Sequence, residues 1–216
     1  QSGDEGQTFS FAGSFTDAGV SDTHTIGWDF GDGSTDTGSL SASNTYADNG
    51  TYTVTLTVTD NDGGVGTDTL TVTVANVVPA VDAGADQSGD EGQSFSFAGS
   101  FTDVGLSDTH TIGWDFGDGS TDSGSLSASN TYADNGTYTV TLTVTDDDGG
   151  VGTDTLTVTV ANVDPVTDAG TDQTVLEGET VNFSGSFTDA GTGDTHTYLW
   201  DFDDTNTATG TLTPSH

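Results

Sequence analysis

The sequence predicts an all-β protein built of tandem β-sandwiches, and three observations predict it. Residues 51–59 alternate strictly, with Tyr52, Val54, Leu56 and Val58 on one side and threonines on the other, an arrangement only a β-strand separates onto two faces. Trp28, Trp114 and Trp200 lie 86 residues apart, as do His24, His110 and His196, so the chain repeats a unit the size of a small domain. Short alternating runs are punctuated throughout by Gly-, Asn- and Asp-rich turns, with no helical periodicity.

In chain order, each unit opens with alternating Phe9 and Phe11. A strand follows with Ile26, Trp28 and Phe30 on one face, then a weaker one with Leu40 and Ala42. The long Thr/aliphatic strand comes next; threonine is β-branched and wettable, so it favours a strand whose outer face meets water. Asp60-Asn61-Asp62-Gly63-Gly64 reads as a hairpin turn into residues 67–74, where Leu70, Val72 and Val74 resume the alternation. About seven strands per unit result, and two packed sheets bury one face of each. The expected core is Phe11, Ile26, Trp28, Phe30, Tyr52, Val54, Leu56, Val58, Leu70 and Val72. Its counterparts 86 residues on include Trp114, Phe116 and Tyr138, with Trp200 in the third copy.

Residues 1–75 match residues 87–161 at 70 of 75 positions; Thr8, Ala18, Val20, Thr37 and Asn61 become Ser94, Val104, Leu106, Ser123 and Asp147. Three units are expected: 1–75 without its first strand, 76–161 complete, and 162–216 without its C-terminal strands. The linkers Ala75-Asn76-Val77-Val78-Pro79 and Ala161-Asn162-Val163-Asp164-Pro165 are brief, and their prolines favour extended chain, so the units form beads on a fairly stiff string.

Composition narrows the function. The chain has no Lys or Arg against 35 Asp and Glu, a formal charge of −35. Nucleic acid and anionic membranes are excluded as partners, because both are held by Lys and Arg. No apolar run is long enough for membrane insertion. Without cysteine there is neither a disulfide nor thiolate chemistry. The charge must be met by salt or by bound cations, which fits an extracellular setting rich in calcium or in salt.

The run Trp28-Asp29-Phe30-Gly31-Asp32-Gly33 recurs unchanged at 114–119. Downstream, Asn44-Thr45-Tyr46-Ala47-Asp48-Asn49-Gly50-Thr51-Tyr52-Thr53-Val54 leads into the long strand. This pattern resembles the PKD domain, over essentially the whole chain. Many PKD repeats carry His where Asn44 and Asn130 stand, and His216 occupies that place in the third copy. The third copy departs in reading Trp200-Asp201-Phe202-Asp203-Asp204-Thr205, without the two turn glycines. The resemblance implies immunoglobulin-like sandwiches that act as spacers or as adhesion and ligand-binding modules of surface or secreted proteins, without catalysis of their own.

In such a sandwich the loop between the second and third strands shares a pole with the final hairpin. That pole holds Asp103 and Asp108 together with Asp146, Asp147 and Asp148. The entering linker is expected to add Asp82 and Asp86, and the facing pole of the preceding unit Glu5, Asp32 and Asp48. Calcium takes six to eight such oxygens, so a calcium ion at the junction that fixes the domain angle is expected. The competing reading is an acidic surface suited to salty water. Asp29 and Asp32 also read as acceptors that hold the Gly-rich turn.

The histidines read as strand-edge packing residues, since zinc needs several convergent ligands, and no cleft for a serine triad is evident. Asn49, Asn135 and Asn182 stand in formal glycosylation sequons. Two functions remain: a stiff extracellular spacer, stalk or fibre segment contacting neighbouring repeats or self-assembling, and a module that binds surface carbohydrate or protein.

Overall fold

The computed structural model describes residues 1–19 and 21–216; Val20, one of the five positions at which the first two copies differ, lies outside the described residues. The middle repeat shows the architecture in full. One sheet has the order Thr121–Ser123, His110–Asp115, Gly136–Asp146, Val151–Ala161 and Gln87–Asp90. Its pairings are antiparallel except the last, where Gln87–Asp90 runs parallel to Val151–Ala161. Facing it, Ser94–Ala98 pairs with Ser127–Thr131 and Ala80–Asp82 with Ser100–Thr102.

These nine segments make seven strands. Ala80–Asp82 and Gln87–Asp90 are two halves of one strand that changes sheet across residues 83–86. Ser94–Ala98 and Ser100–Thr102 are one strand broken at Gly99, where a Cβ would lie 3.1 Å from Cζ2 of Trp114. At the change of sheet, side chains replace the missing ladder: Ala83 N–H donates to Asp154 Oδ2 (2.8 Å) and Thr157 N–H to Asp86 Oδ1 (2.8 Å). Buried backbone groups need such partners wherever the ladder lapses.

The two sheets enclose Phe95, Phe97, Trp114, Phe116, Tyr132, Val140, Leu142, Val144, Leu156, Val158 and Val160. Trp114 donates its indole N–H to Ser125 O (3.1 Å), so the ring is buried with its polar group satisfied. The first repeat builds the same core from Phe9, Phe11, Trp28, Phe30, Tyr46, Val54, Leu56, Val72 and Val74. Three of these, Phe9, Tyr46 and Val74, exceed the core expected from alternation, while Ile26, Tyr52, Val58 and Leu70 are only half-buried. Tyr138 is likewise half-buried against the second core.

Identical residues are buried to different depths in the two copies. Val144 and Leu156 are buried, whereas Val58 and Leu70 are half-buried. In the middle repeat the strand Ala80–Asp82 packs against Val151–Ala161 and Gly136–Asp146.

In the third repeat, Val166–Asp168 pairs with Ser186–Thr188 and Leu199–Asp201 with Thr207–Thr209. Trp200, expected in the core, is half-buried. Its ring packs on Phe183 and donates to Thr211 O (3.2 Å), but the two long strands that cover Trp114 have no counterpart in these 216 residues. The turn after Trp200 keeps its shape without glycine. Asp203 (φ 61°) and Thr205 (φ 78°) take the left-handed backbone that Gly117 (φ 77°) and Gly119 (φ 93°) take in the middle repeat.

Candidate metal centre

The first junction forms where the pole of the first repeat carrying Glu5 and Asp48 meets the second-repeat loop 103–108 and hairpin 146–150. Glu5 follows the edge strand Ser2–Asp4, and its N–H donates to Ala75 O (3.0 Å). The linker then passes over it, and Val77 N–H donates to Glu5 Oε1 (2.7 Å). Glu5 is only 3% exposed, and its Oε2 is buried without a hydrogen-bond partner.

Gly6 (φ 70°) turns the chain away and leaves space for the incoming loop; a Cβ there would lie 3.2 Å from Val104 Cβ. Ser107 N–H donates across the junction to Ala47 O (3.3 Å). Asn76 ties the linker to the second repeat, its Nδ2 donating to Asp146 Oδ2 (2.9 Å), while its Oδ1 is buried and unpartnered. Asp146 Oδ1 accepts from Asp148 N–H (3.1 Å) and Gly150 N–H (2.7 Å), which closes the hairpin. Asp147 Oδ1 accepts from Thr109 N–H (2.7 Å), joining hairpin to loop.

Asp108 lies at the centre, and both its carboxylate oxygens are buried with no hydrogen-bond partner. Glu5, Asp48 and Asp108 place carboxylate oxygens within 4.8 Å of one another; so do Asp103, Asp108 and Asp146. Burial, reinforced by the charges of Glu5, Asp103, Asp148 and Asp48, pushes the Asp108 carboxyl up to about 6. Burial also raises Glu5, against the bond from Val77, with Asp103, Asp48 and Asp148 adding to the rise. Asp146 is held below its ordinary value, first by Asn76 and then by the hairpin amides. The chain has no Lys or Arg to relieve the site; the basic group beside it is His110, bonded to Asp103 (2.7 Å).

The second junction repeats the arrangement. Val163 N–H donates to Glu91 Oε1 (2.7 Å), and Glu91, 2% exposed, keeps a buried Oε2 without a partner. Gly193 N–H donates to Ala133 O (2.9 Å), and Glu91, Asp134 and Asp194 cluster as Glu5, Asp48 and Asp108 do. At the opposite pole of the first repeat, Asp17, Asp22 and Asp60 gather in the manner of Asp103, Asp108 and Asp146.

Of the residues read from sequence as calcium ligands, the structure brings Glu5, Asp48, Asp103, Asp108 and Asp146 together, with Asp148 beside them. Asp32, Asp82 and Asp86 lie elsewhere. Asp32 holds the turn after Trp28, accepting from Ser34 N–H (2.8 Å) and Asn44 Nδ2 (2.7 Å). Asp82 accepts from Gly84 N–H (2.9 Å), and Asp86 from Thr157, along the sheet edge rather than at the pole. Asn76 and the second-junction residues Glu91, Asp134 and Asp194 were not anticipated. The 86-residue period signals the latter three directly, as counterparts of Glu5, Asp48 and Asp108.

The histidines bond to neighbouring aspartates: His24 to Asp17 (2.8 Å), His110 to Asp103 (2.7 Å), His196 to Asp189 (2.6 Å) and His216 to Asp204 (2.8 Å). Asn49 is half-buried, and Asn135 and Asn182 are exposed. No helix is long and apolar enough to cross a membrane.

Fold and junctions together define a class: immunoglobulin-like sandwich modules strung in tandem, with acidic clusters able to coordinate a divalent cation where they meet. The chain belongs to the PKD domain family, which it matches over residues 1–74, 76–160 and 162–216. Among solved structures it is similar to the PKD1 domain of Vibrio anguillarum Epp, at 33% identity over 40% of this chain and 96% of that one, with a TM-score of 0.33. It is also similar to the fibronectin(III)-like modules of Clostridium thermocellum CbhA, at 17% identity over 74% and 88%, TM-score 0.33. A third likeness is to the three N-terminal domains of the bacteriophage RB49 outer capsid protein Hoc, at 13% identity over 91% and 69%, TM-score 0.35. No curated protein sequence matches the chain.

Proposed function

We propose that the chain is part of an extracellular repeat array, secreted or at the cell surface, with a structural or adhesive role, and that calcium at the domain junctions sets the angle between its modules. The observation that carries this reading is the pair of buried, unpartnered acids facing each other across the first junction, Glu5 through Oε2 and Asp108 through both oxygens. An unpaired buried carboxylate is expensive, and a hard divalent cation with oxygen ligands is the partner that removes the cost. A cation held by both modules also resists bending at the linker, which suits a stalk or fibre segment.

The adhesive role has its own support. The Trp28 and Trp114 rings are turned inward, so an aromatic platform is not what these two modules offer; Leu106, on the junction loop, stands 84% exposed, with Val104 of the same loop also exposed. Loop-borne contact with a surface protein or carbohydrate fits that placement.

Melting and small-angle scattering of the purified chain, with calcium and with chelator, test the proposal. Calcium at a hundred times its Kd stabilises by about 2.7 kcal/mol, which for a domain of this size is a rise of about 10 °C or more in Tm. The scattering should also show a narrower spread of interdomain distances. Unchanged midpoint and unchanged dimensions would sink the calcium reading.

A further inference from the structure

We infer that the first junction holds two divalent cations that share Asp108. This rests on the cation reading above and specifies it. The two acidic triads of the junction have Asp108 as their common member, and it is the residue with both carboxylate oxygens buried and unpartnered. One triad, with Glu5 and Asp48, spans the two modules; the other, with Asp103 and Asp146, lies within the second. Each has a further unmet oxygen of its own. Glu5, 3% exposed, presents a partnerless Oε2 to the first. Asn76, fastened through Nδ2 to Asp146, keeps a buried and partnerless Oδ1 beside the second.

The rest of the molecule shows that the triads are separable. At the opposite pole of the first repeat, Asp17, Asp22 and Asp60 form the intramodular triad. At the second junction the intermodular triad recurs as Glu91, Asp134 and Asp194; Asp194 also meets Asp189 and His196, a group whose third member is an imidazole, a poor calcium ligand, since residues 162–216 contain no counterpart of Asp146. An all-carboxylate intramodular triad therefore forms away from any intermodular one, and at the first junction the two all-carboxylate triads overlap on one side chain.

Charge points the same way. Five carboxylates meet there, Glu5, Asp48, Asp103, Asp108 and Asp146, for a formal −5. One divalent ion leaves −3 and two leave −1; the chain has no Lys or Arg to share the task, and His110 on Asp103 supplies at most one charge, when protonated. A carboxylate that bridges through its two oxygens serves both ions, and oxygens that already accept an N–H keep a second lone pair for a metal.

Equilibrium dialysis with radioactive calcium, counting ions bound per intact 216-residue chain, tests the inference. Glu5→Gln, which retains an acceptor for Val77, and Asp146→Asn should each lose one ion, and Asp108→Asn should lose two. At the second junction, Asp194→Asn and Glu91→Gln should each lose the same single ion. Asn76→Ala probes the intramodular site independently should Asp146→Asn perturb the hairpin, and near-ultraviolet circular dichroism in high salt verifies folding. Loss of only one ion in Asp108→Asn, equal to the loss in Glu5→Gln, overturns the shared arrangement while leaving a junction cation in place. A wild-type chain that binds no calcium at millimolar concentration overturns both.

Discussion

Tyr132 is fully buried, and its hydroxyl donates to Phe116 O (3.0 Å), as Tyr46 does to Phe30 O (3.0 Å). That carbonyl ends the tryptophan strand, where the ladder stops, and the tyrosine satisfies it inside the core. Tyr132→Phe leaves the carbonyl buried and unmet, so a loss of about 1–3 kcal/mol is expected in the denaturation of the middle repeat. The position escaped the alternation pattern because Tyr46 and Tyr132 lie between strands, just past Ser41–Thr45 and Ser127–Thr131. Their motif was legible; their burial was not.

Asp108, together with Glu5, makes the junction pH-dependent. Its folded value of about 6 lies above the ordinary 3.8, so the folded state binds the extra proton between the two. The stability it contributes is complete below about pH 4 and lost as pH rises through about 6. In chelator, the midpoint of the first junction should therefore rise when pH is lowered from about 7 to about 5, and Asp108→Asn should flatten that slope. Further acidification reverses the trend. Burial raises the Asp32 and Asp118 carboxyls, but bonds from Ser34 and Asn44, and from Ser120 and Asn130, outweigh it and hold both below 3.8. Their contribution is lost as pH falls through those lowered values.

Among the elements, the turn after the tryptophan strand shows how far one backbone shape survives a change of residue. Gly31 (φ 82°) is required twice, by its left-handed backbone and by Thr53 O, which would lie 2.6 Å from a Cβ. Asp203 and Thr205 adopt the same backbone without glycine, helped by Asp203 N–H to Asp201 Oδ1 (3.0 Å) and Asn206 N–H to Asp204 Oδ1 (3.0 Å). A β-branched residue is the least suited to it. Thr205→Gly should relieve about 1–2 kcal/mol, read as slower hydrogen exchange at the Phe202 amide, which bonds Asn206 O across this turn (3.2 Å). The strands themselves were readable, because a half-buried sheet imposes a period of two on its residues. The depth of burial was not: Val58 is half-buried, whereas Val144, in the same local sequence, is buried in the repeat where the strand Ala80–Asp82 packs against its sheet.

Across the full chain, a formal charge of −35 with no internal cation makes its modules repel wherever they approach. At the two junctions, the linkers nevertheless hold acidic poles against each other. Salt relieves exposed charges within a Debye length of about 8–10 Å, but it does little for the buried Glu5 and Asp108. Low salt plus chelator should therefore loosen the junctions before it unfolds the sandwiches. The expected scattering result is a broadened interdomain distance with near-constant far-ultraviolet circular dichroism.

Alternation and the 86-residue period are local signals, printed in the order of residues, so strands, repeats and the family pattern could be read without coordinates. Glu5 and Asp108 come together from positions 103 residues apart, and no short pattern marks that meeting. Nor does sequence distinguish Asp82 and Asp86 from Asp103 and Asp108, since all are aspartates near the same linker. The path of the chain decides it. Where the first strand of the middle repeat changes sheet, open backbone amides claim Asp82 and Asp86, whereas the loop 103–108 folds its carboxylates inward against another module.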